Sequence, residues 1–253
     1  MNGTELRYEA DGLSMVGRLF TPPGPGPHPG VMVYPEAFGL GPHAIGKAQR
    51  IASELGYAAL ACDLHGEGRV LGMGEVMAAL APLRTDAAKI QARTRPALEA
   101  FADRPEVDRS RIAAIGFCFG GTISFELACR GADLKAAIGF HGGLAVPSLA
   151  DASQVKGKVL ALIGADDPSI PPDQRAAFET AMREGQVDWQ MTLYGGVVHS
   201  YTNPEAAKMG RPEFARYDEA ADRRSWAQMA GLLAEVFGGQ RSGSEPSDDG
   251  LTR

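Results

Sequence analysis

Apolar and polar positions follow two different patterns along this chain, and both predict strands. Near the N-terminus, residues 5–8 and 14–20 alternate apolar with polar side chains on either side of an Asp11-Gly12 pair, which favours a β-hairpin. Further along, the chain has runs that are almost continuously apolar, as expected for parallel strands covered on both faces. These predicted strands are residues 30–34, 57–62, 111–117, 134–140, 158–163 and 187–193.

Segments with helical periodicity separate the apolar runs. They are residues 43–55, 85–101, 119–130 and 172–183, and a last helix from about 213 to 237. This alternation predicts an α/β fold with a mostly parallel central sheet and helices on both faces, in which ligands bind at the carboxyl ends of the strands. Residues 1–237 are predicted to form a single domain. Residues 238–253 have almost no apolar side chains to bury and are predicted to be a disordered tail.

Composition and charge narrow the possible partners. The chain has 253 residues with 44% hydrophobic and 22% charged side chains, which are ordinary values for a globular protein. The net charge of -6, without a basic block, argues against nucleic acid as a partner. No apolar run approaches the length of a membrane span, and the N-terminus lacks the regions of a signal peptide. The sequence therefore predicts a cytoplasmic protein with no membrane segment.

The strongest chemical signal is the segment Gly116-Phe117-Cys118-Phe119-Gly120. It matches the pattern Gly-x-nucleophile-x-Gly and lies between a predicted strand and a predicted helix, as that pattern requires. The flanking glycines let the chain turn sharply, so the Cys118 thiol would stand at the helix N-terminus, where the dipole favours a thiolate. The Phe119 N–H would then face a developing oxyanion. The alternative is that Cys118 is a small buried hydrophobe.

The other two cysteines lack this context. Cys62 ends a predicted strand, and Cys129 lies late in a predicted helix. Three cysteines at wide spacings suit neither a disulfide framework nor a Cys-x-x-Cys metal site, so we predict reduced thiols and no metal site.

A cysteine nucleophile needs a base, and His199 is the best candidate among the five histidines. It follows the last predicted strand, in the loop that faces the nucleophile in this topology. His65 and His141 also follow strands and could line the pocket. An orienting acid is expected between the nucleophile and the base, where Asp166 and Asp167 follow the strand 158–163; their spacing does not separate the two.

Glu36 follows the strand 30–34 at the same edge of the sheet. A carboxylate there is either a site residue or a capping, solvated group. Loops after this strand commonly supply the second oxyanion N–H, which points to the amide of Ala37.

With these residues in place, the chain resembles the dienelactone hydrolase family of α/β-hydrolases over about residues 12–237. The matching segments are residues 34–39, 62–64, 116–121, 164–171 and 199–201. The resemblance implies the α/β-hydrolase fold, with Cys118 as nucleophile and His199 as base. It selects Asp167 as the acid, because the family's acid is followed four residues later by a proline, here Pro171. It also implies that Glu36 contacts the resting thiol and helps to generate the thiolate.

One departure from the family concerns the substrate. Dienelactone-cleaving members carry an arginine four residues after the histidine, which holds the substrate carboxylate, and this chain has Asn203 there. A second expected arginine has only Arg84 near its place. Without a bidentate cation a carboxylated lactone loses a charge-assisted anchor. Together with the aromatic residues Phe38, Phe119 and Tyr201, this predicts a pocket suited to a neutral ester.

The sequence thus predicts a hydrolase that cleaves small-molecule esters or lactones through a thioacyl-enzyme intermediate, without a metal or organic cofactor. One alternative is a non-catalytic homologue that binds a small ligand in the same pocket. Another is a redox-sensing thiol protein, because an exposed cysteine of low pKa is readily oxidised. That alternative lacks a resolving cysteine near Cys118. The sequence carries no signal for the oligomeric state.

Overall fold

One eight-stranded sheet organises the chain. The computed structural model describes residues 3–238, so of the predicted tail only Gly238 falls within it. The strands are β1 (Thr4–Ala10), β2 (Leu13–Phe20), β3 (His28–Tyr34), β4 (Ala58–Ala61), β5 (Val107–Phe117), β6 (Ala136–Phe140), β7 (Lys158–Gly164) and β8 (Trp189–Tyr194). Their order in the sheet is β1-β2-β4-β3-β5-β6-β7-β8. The pairs β1–β2 and β2–β4 are antiparallel and the others are parallel, which confirms the predicted mostly parallel sheet.

Six α-helices connect or follow these strands. They are α1 (Pro42–Arg50), α2 (Met73–Thr85), α3 (Ala87–Ala102), α4 (Phe119–Cys129), α5 (Pro172–Glu184) and α6 (Glu219–Phe237) within the described part of the chain. A π-helical turn, Ile51–Leu55, continues α1, and two 3₁₀ helices cover Leu149–Gln154 and Pro204–Met209. None of the helices within residues 3–238 combines the length and the apolar character needed to cross a membrane.

Apolar side chains pack on both faces of the sheet. On one face, α1 and α6 bury Ala48 and Met229 against β3, β5 and β6. On the other, α2, α3 and α4 cover β3, β4 and β5, and α5 packs with α4 over β6 and β7. Because the central strands are buried on both sides, their sequences are apolar throughout, as predicted.

Two helix predictions need correction. The helix α2 has no counterpart among the predicted helices, because Met73 and Met77 are exposed and apolar side chains therefore do not lie on one side of it alone. The last helix was predicted from about residue 213, but α6 begins at Glu219 with the Asp218 side chain accepting the N–H of Ala221. Residues 214–216 instead run alongside the segment that carries His199.

Candidate active site

Cys118 lies at a sharp turn between the carboxyl end of β5 and the first residue of α4. Its backbone has φ 54° and ψ -122°, a conformation that costs a non-glycine residue about 1–3 kcal/mol. Main-chain atoms approach each other closely in this turn and leave no room for a side chain at either glycine. A Cβ on Gly116 would lie 2.0 Å from the carbonyl of Gly120, and a Cβ on Gly120 would lie 2.3 Å from the carbonyl oxygen of Tyr34. The glycines of the motif are therefore required by close contact with neighbouring main-chain atoms.

This contact predicts a large stability loss for Gly116→Ala. The added methyl group meets a backbone carbonyl, which cannot rotate away, so we expect the free energy of unfolding to fall by about 3 kcal/mol. Urea unfolding followed by circular dichroism measures it. Gly46→Ala in α1 is the matched control, because a Cβ there meets no atom within 4 Å and alanine favours a helix by up to about 1 kcal/mol. Equal stability of the two variants would contradict the packing argument.

His199 and Asp167 form a close pair at the carboxyl ends of β8 and β7. The Nδ1 atom of His199 lies 2.6 Å from Oδ2 of Asp167. Asp167 is 2% exposed, whereas the neighbouring Asp166 is exposed to solvent. The structure therefore brings Asp167, and not Asp166, to the histidine. Ser169, which no sequence motif marks, donates from Oγ and from its backbone N–H to Oδ1 of Asp167, at 2.6 and 2.9 Å.

The backbone of His199 is fixed by the segment before α6. The N–H of His199 donates to the carbonyl of Phe214 at 3.0 Å, and the N–H of Arg216 donates to the carbonyl of His199 at 3.1 Å. These bonds form a parallel bridge between His199 and Ala215. They explain why residues 214–216 are not helical: they pair with the loop that carries His199.

Opposing effects set the charge of His199. Burial alone would lower the pKa of its imidazole, but the negative charge of Cys118 and the hydrogen bond to Asp167 outweigh burial and raise the pKa of His199 to about 10. The raised pKa favours the imidazolium form of His199 at neutral pH, with Nδ1 on Asp167.

A pH titration follows from this arrangement. In the wild-type protein the His199 ring should keep the NMR signature of an imidazolium up to about pH 10. In Cys118→Ala the thiolate charge is absent while burial remains, so the midpoint of the titration should fall. The ¹³C chemical shifts of the His199 ring measure the titration midpoint in each protein. These signals are identified by their absence from the spectrum of His199→Asn. Identical midpoints in the two proteins would show that Cys118 does not set the charge of His199.

Glu36 lies at the same edge of the sheet, after β3, but its contacts differ from the expectation. Its carboxylate accepts hydrogen bonds from Ser200 Oγ at 3.1 Å and from Asn203 Nδ2 at 2.6 Å. His43 Nδ1 lies 3.8 Å from Oε2 of Glu36. The resemblance implied a contact between Glu36 and the resting thiol; within residues 3–238 its hydrogen bonds go instead to the loop that follows His199.

The two candidate oxyanion donors occupy different elements. The N–H of Phe119 is the first of α4, and such N–H groups have no partner within their own helix. Ala37 lies in the loop after β3, where its carbonyl accepts a hydrogen bond from Nε2 of His65 at 2.8 Å. Burial lowers the pKa of His65, so the ring that holds this loop is neutral. His65 therefore orients the Ala37 peptide and has no described hydrogen bond to Cys118.

The predicted pocket residues differ in their exposure. Phe38 is half-buried, and its carbonyl accepts the N–H of Leu71 at 2.8 Å, which ties its loop to the segment before α2. Tyr201 is fully buried and donates to the carbonyl of Leu162, so it lies beneath the site instead of forming a wall open to substrate. Arg84 is exposed in the last turn of α2 and makes no described hydrogen bond or ion pair.

An exposed apolar strip follows the Phe38 loop. It consists of Val70, Met73 and Met77, whose side chains are 56%, 63% and 60% exposed. A β-bridge between Gly39 and Val70 connects the strip to the loop after β3.

Two buried residues near the nucleophile carry more contacts than the sequence suggested. His141 follows β6, and its Nδ1 accepts the N–H of Cys118 at 3.1 Å. Its Nε2 lies 2.8 Å from Oγ1 of Thr202, which is also fully buried. The strand-end position of His141 was the only sequence signal, and nothing in the sequence marked Thr202.

The remaining cysteines are buried. Cys62 and Cys129 have 0% and 1% of their surface exposed, and burial raises the pKa of both thiols. Cys118 is only partly buried. No group of acidic, histidine or cysteine side chains within residues 3–238 is arranged to hold a metal ion.

The chain is similar to a known protein family, to individual proteins of other organisms and to solved structures. The sequence profile described as the dienelactone hydrolase family matches residues 15–237. A protein of Synechocystis sp. named "Putative carboxymethylenebutenolidase" is 28% identical over 236 residues, which cover 87% of this chain and 92% of that protein. An uncharacterized protein of Caenorhabditis elegans is 33% identical over 161 residues, or 59% of this chain and 95% of that protein.

A solved structure is similar over nearly the whole fold. It is described as a dienelactone hydrolase-like promiscuous phosphotriesterase from metagenomic libraries. It has 40% sequence identity and a TM-score of 0.90, and the match covers 94% of this chain and 99% of that one.

Proposed function

Because the chain belongs to the dienelactone hydrolase family, we propose that it hydrolyses carboxylic esters or lactones through a thioacyl intermediate on Cys118. The observation that carries this proposal is the environment of His199. Its Nδ1 lies 2.6 Å from Asp167, and the charge of Cys118 raises its pKa to about 10. A thiolate paired with an imidazolium is the activated form of a cysteine nucleophile.

The first half of the reaction forms the thioester. The Cys118 sulfur attacks the carbonyl carbon, and the carbonyl electrons move to oxygen, where the N–H groups of Phe119 and Ala37 stabilise the charge. When the tetrahedral intermediate collapses, the ester C–O bond breaks. The His199 imidazolium gives its proton to the leaving alkoxide, which in a lactone stays attached to the acyl chain.

The second half regenerates the enzyme. Neutral His199 takes a proton from water as the water oxygen attacks the thioester carbonyl. Collapse breaks the S–C bond, releases the carboxylic acid and restores the thiolate. Asp167 keeps the imidazole in one orientation and stabilises its charged form through both halves.

The surroundings of the site favour neutral substrates. Asn203 donates an amide N–H to Glu36 and accepts the N–H of Glu205 at Oδ1, and it carries no positive charge that could pair with a substrate carboxylate. Glu36 adds a negative charge at this edge of the sheet, which repels a carboxylated acyl group.

A matched pair of substrates tests this preference. We expect kcat/KM for 4-nitrophenyl butyrate to exceed that for 4-nitrophenyl hemisuccinate, which has the same leaving group but a terminal carboxylate, by about 10–100-fold. Asn203→Arg should reduce the ratio, whereas Asn203→Gln, which keeps the amide, should not bring it toward unity. A wild-type preference for hemisuccinate would refute the neutral-substrate proposal.

A second candidate activity is the hydrolysis of neutral phosphotriesters. Two features of the site support it. Cys118 is partly buried, and its charge raises the pKa of His199. At position 203 the site has an asparagine bound to Glu36, which offers no positive charge to an anionic substrate. A solved relative carries the description phosphotriesterase. The thiolate would attack phosphorus, the P–O bond to the aryl group would break, and water would then cleave the P–S bond. Diethyl 4-nitrophenyl phosphate in the same assay tests it, with Cys118→Ala as control.

A further inference from the structure

His141 connects the nucleophile to the loop that carries the base. Its ring is completely buried, and its own backbone has φ 40°. Nδ1 accepts the N–H of Cys118 at 3.1 Å, and Nε2 lies 2.8 Å from the hydroxyl of Thr202. Thr202 is three residues after His199, so one imidazole contacts both sides of the reacting pair.

We propose that His141 is a positioning residue, whose two ring nitrogens fix the backbone of Cys118 relative to the loop that carries His199. This inference rests on the proposed function, because it assigns His141 to the geometry of that reaction. The Cys118 N–H also donates to the carbonyl of Phe140 at 3.0 Å, so it is shared between two acceptors at the carboxyl end of β6.

The hydrogen-bond pattern requires one tautomer of His141. A ring nitrogen that accepts the N–H of Cys118 must be unprotonated, so Nε2 carries the hydrogen and donates to Thr202 Oγ1. Burial, and then the nearby His199, His43 and Lys47, hold the pKa of His141 well below its usual range. His141 is therefore neutral beside a charged His199, and both can keep their contacts at the same pH.

Packing restrains the ring as well. The rings of His141 and His199 meet edge to face with centroids 5.2 Å apart, and the ring of Tyr201 meets His141 at the same distance. A shift of His141 would therefore displace the base. On the far side, the carbonyl of Thr202 accepts from Nε2 of His43 at 3.0 Å, which anchors the loop to α1.

Variants of Thr202 test the proposal with little change of shape. Thr202→Val removes the hydroxyl and keeps the volume, whereas Thr202→Ser keeps the hydroxyl. We expect Thr202→Val to acylate about 10-fold or more slowly than Thr202→Ser in the burst phase with 4-nitrophenyl acetate, with little change in KM, because a small misplacement of a reacting group lowers kcat. Equal burst rates of the two variants would overturn the proposal.

A double-mutant cycle separates positioning from general packing. Asn at position 141 tolerates positive φ and can accept the Cys118 N–H, but is too short to reach Thr202. Thr202→Val should therefore slow acylation in the wild-type background and have almost no further effect in His141→Asn. Additive effects would overturn the proposal, because they would mean that the two side chains do not act through each other.

Alkylation of Cys118 by iodoacetamide distinguishes this inference from the proposed function, since it needs no ester. Thr202→Val should shift the onset of alkylation to higher pH relative to Thr202→Ser. The loop that carries His199 would be held less firmly in Thr202→Val, which weakens the ion pair between His199 and Cys118. If the shift occurs in a protein without esterase activity, the positioning role stands and the proposed function fails. If esters are cleaved and neither alkylation nor the burst differs between the two variants, the positioning role fails alone.

Discussion

Replacing Cys118 by alanine is expected to lower kcat for 4-nitrophenyl acetate by at least about 10⁴-fold, since the variant has no nucleophile to carry the acyl group. The partial charge on the ester oxygen would still meet the N–H groups of Phe119 and Ala37, so a small residual rate over water should remain. Steady-state release of 4-nitrophenol measures the loss, and mass spectrometry should show an acyl adduct on the wild-type protein only.

Cys129→Ala is the matched control for the nucleophile. Cys129 is the last residue of α4, the helix that begins directly after Cys118, and it is 1% exposed among apolar side chains. Its replacement should therefore affect stability and leave turnover near that of the wild type. Full turnover in Cys118→Ala would refute the thioacyl mechanism. A wild-type protein that binds esters without cleaving them would favour the ligand-binding alternative, and oxidation by peroxide faster than acylation would favour the redox sensor.

Asp167→Asn is expected to reduce kcat by about 10³–10⁴-fold with little change in the fold. The amide can present a hydrogen-bond donor to Nδ1 of His199, which favours the wrong tautomer, and it no longer stabilises the imidazolium. The same kinetic assay measures the loss. NMR should also show a lower pKa for His199 in this variant, because the hydrogen bond to Asp167 is one of the causes of its high value.

Asp166→Asn is the control for this prediction. Asp166 is adjacent in sequence but exposed, and its side chain makes no described hydrogen bond, so its neutralisation should change kcat by less than about twofold. Comparable losses in the two variants would show that the effect comes from the charge of the loop and not from the contact between Asp167 and His199.

Local sequence patterns are sufficient to locate the central strands and the nucleophile turn. Continuous apolar runs identified the central strands because those strands are buried on both faces, and the position of Cys118 followed from a motif that is local in sequence. The helix α2 was missed because Met73 and Met77 point outward, and a sequence pattern does not distinguish an exposed methionine from a buried one.

The supporting contacts of the site could not be predicted for a different reason. Spacing alone does not separate Asp166 from Asp167, which the family resemblance did by selecting Asp167, and the turn after β7 decides which of the two is buried. The contact between His141 and Thr202 joins residues 61 positions apart, and Thr202 has no motif around it. Such pairings are determined by the tertiary fold, and local propensity contains no information about them.

The bare backbone contacts at Gly116 and Gly120 have a consequence for protein engineering. Substitutions at Gly116 or Gly120 would mostly destabilise the protein, because even one methyl group there meets main-chain atoms. The strip of Val70, Met73 and Met77 is largely in solvent and is tied to the Phe38 loop, so it accepts new side chains at little cost in stability. Sequence diversification should therefore begin with these three positions and leave the nucleophile turn unchanged.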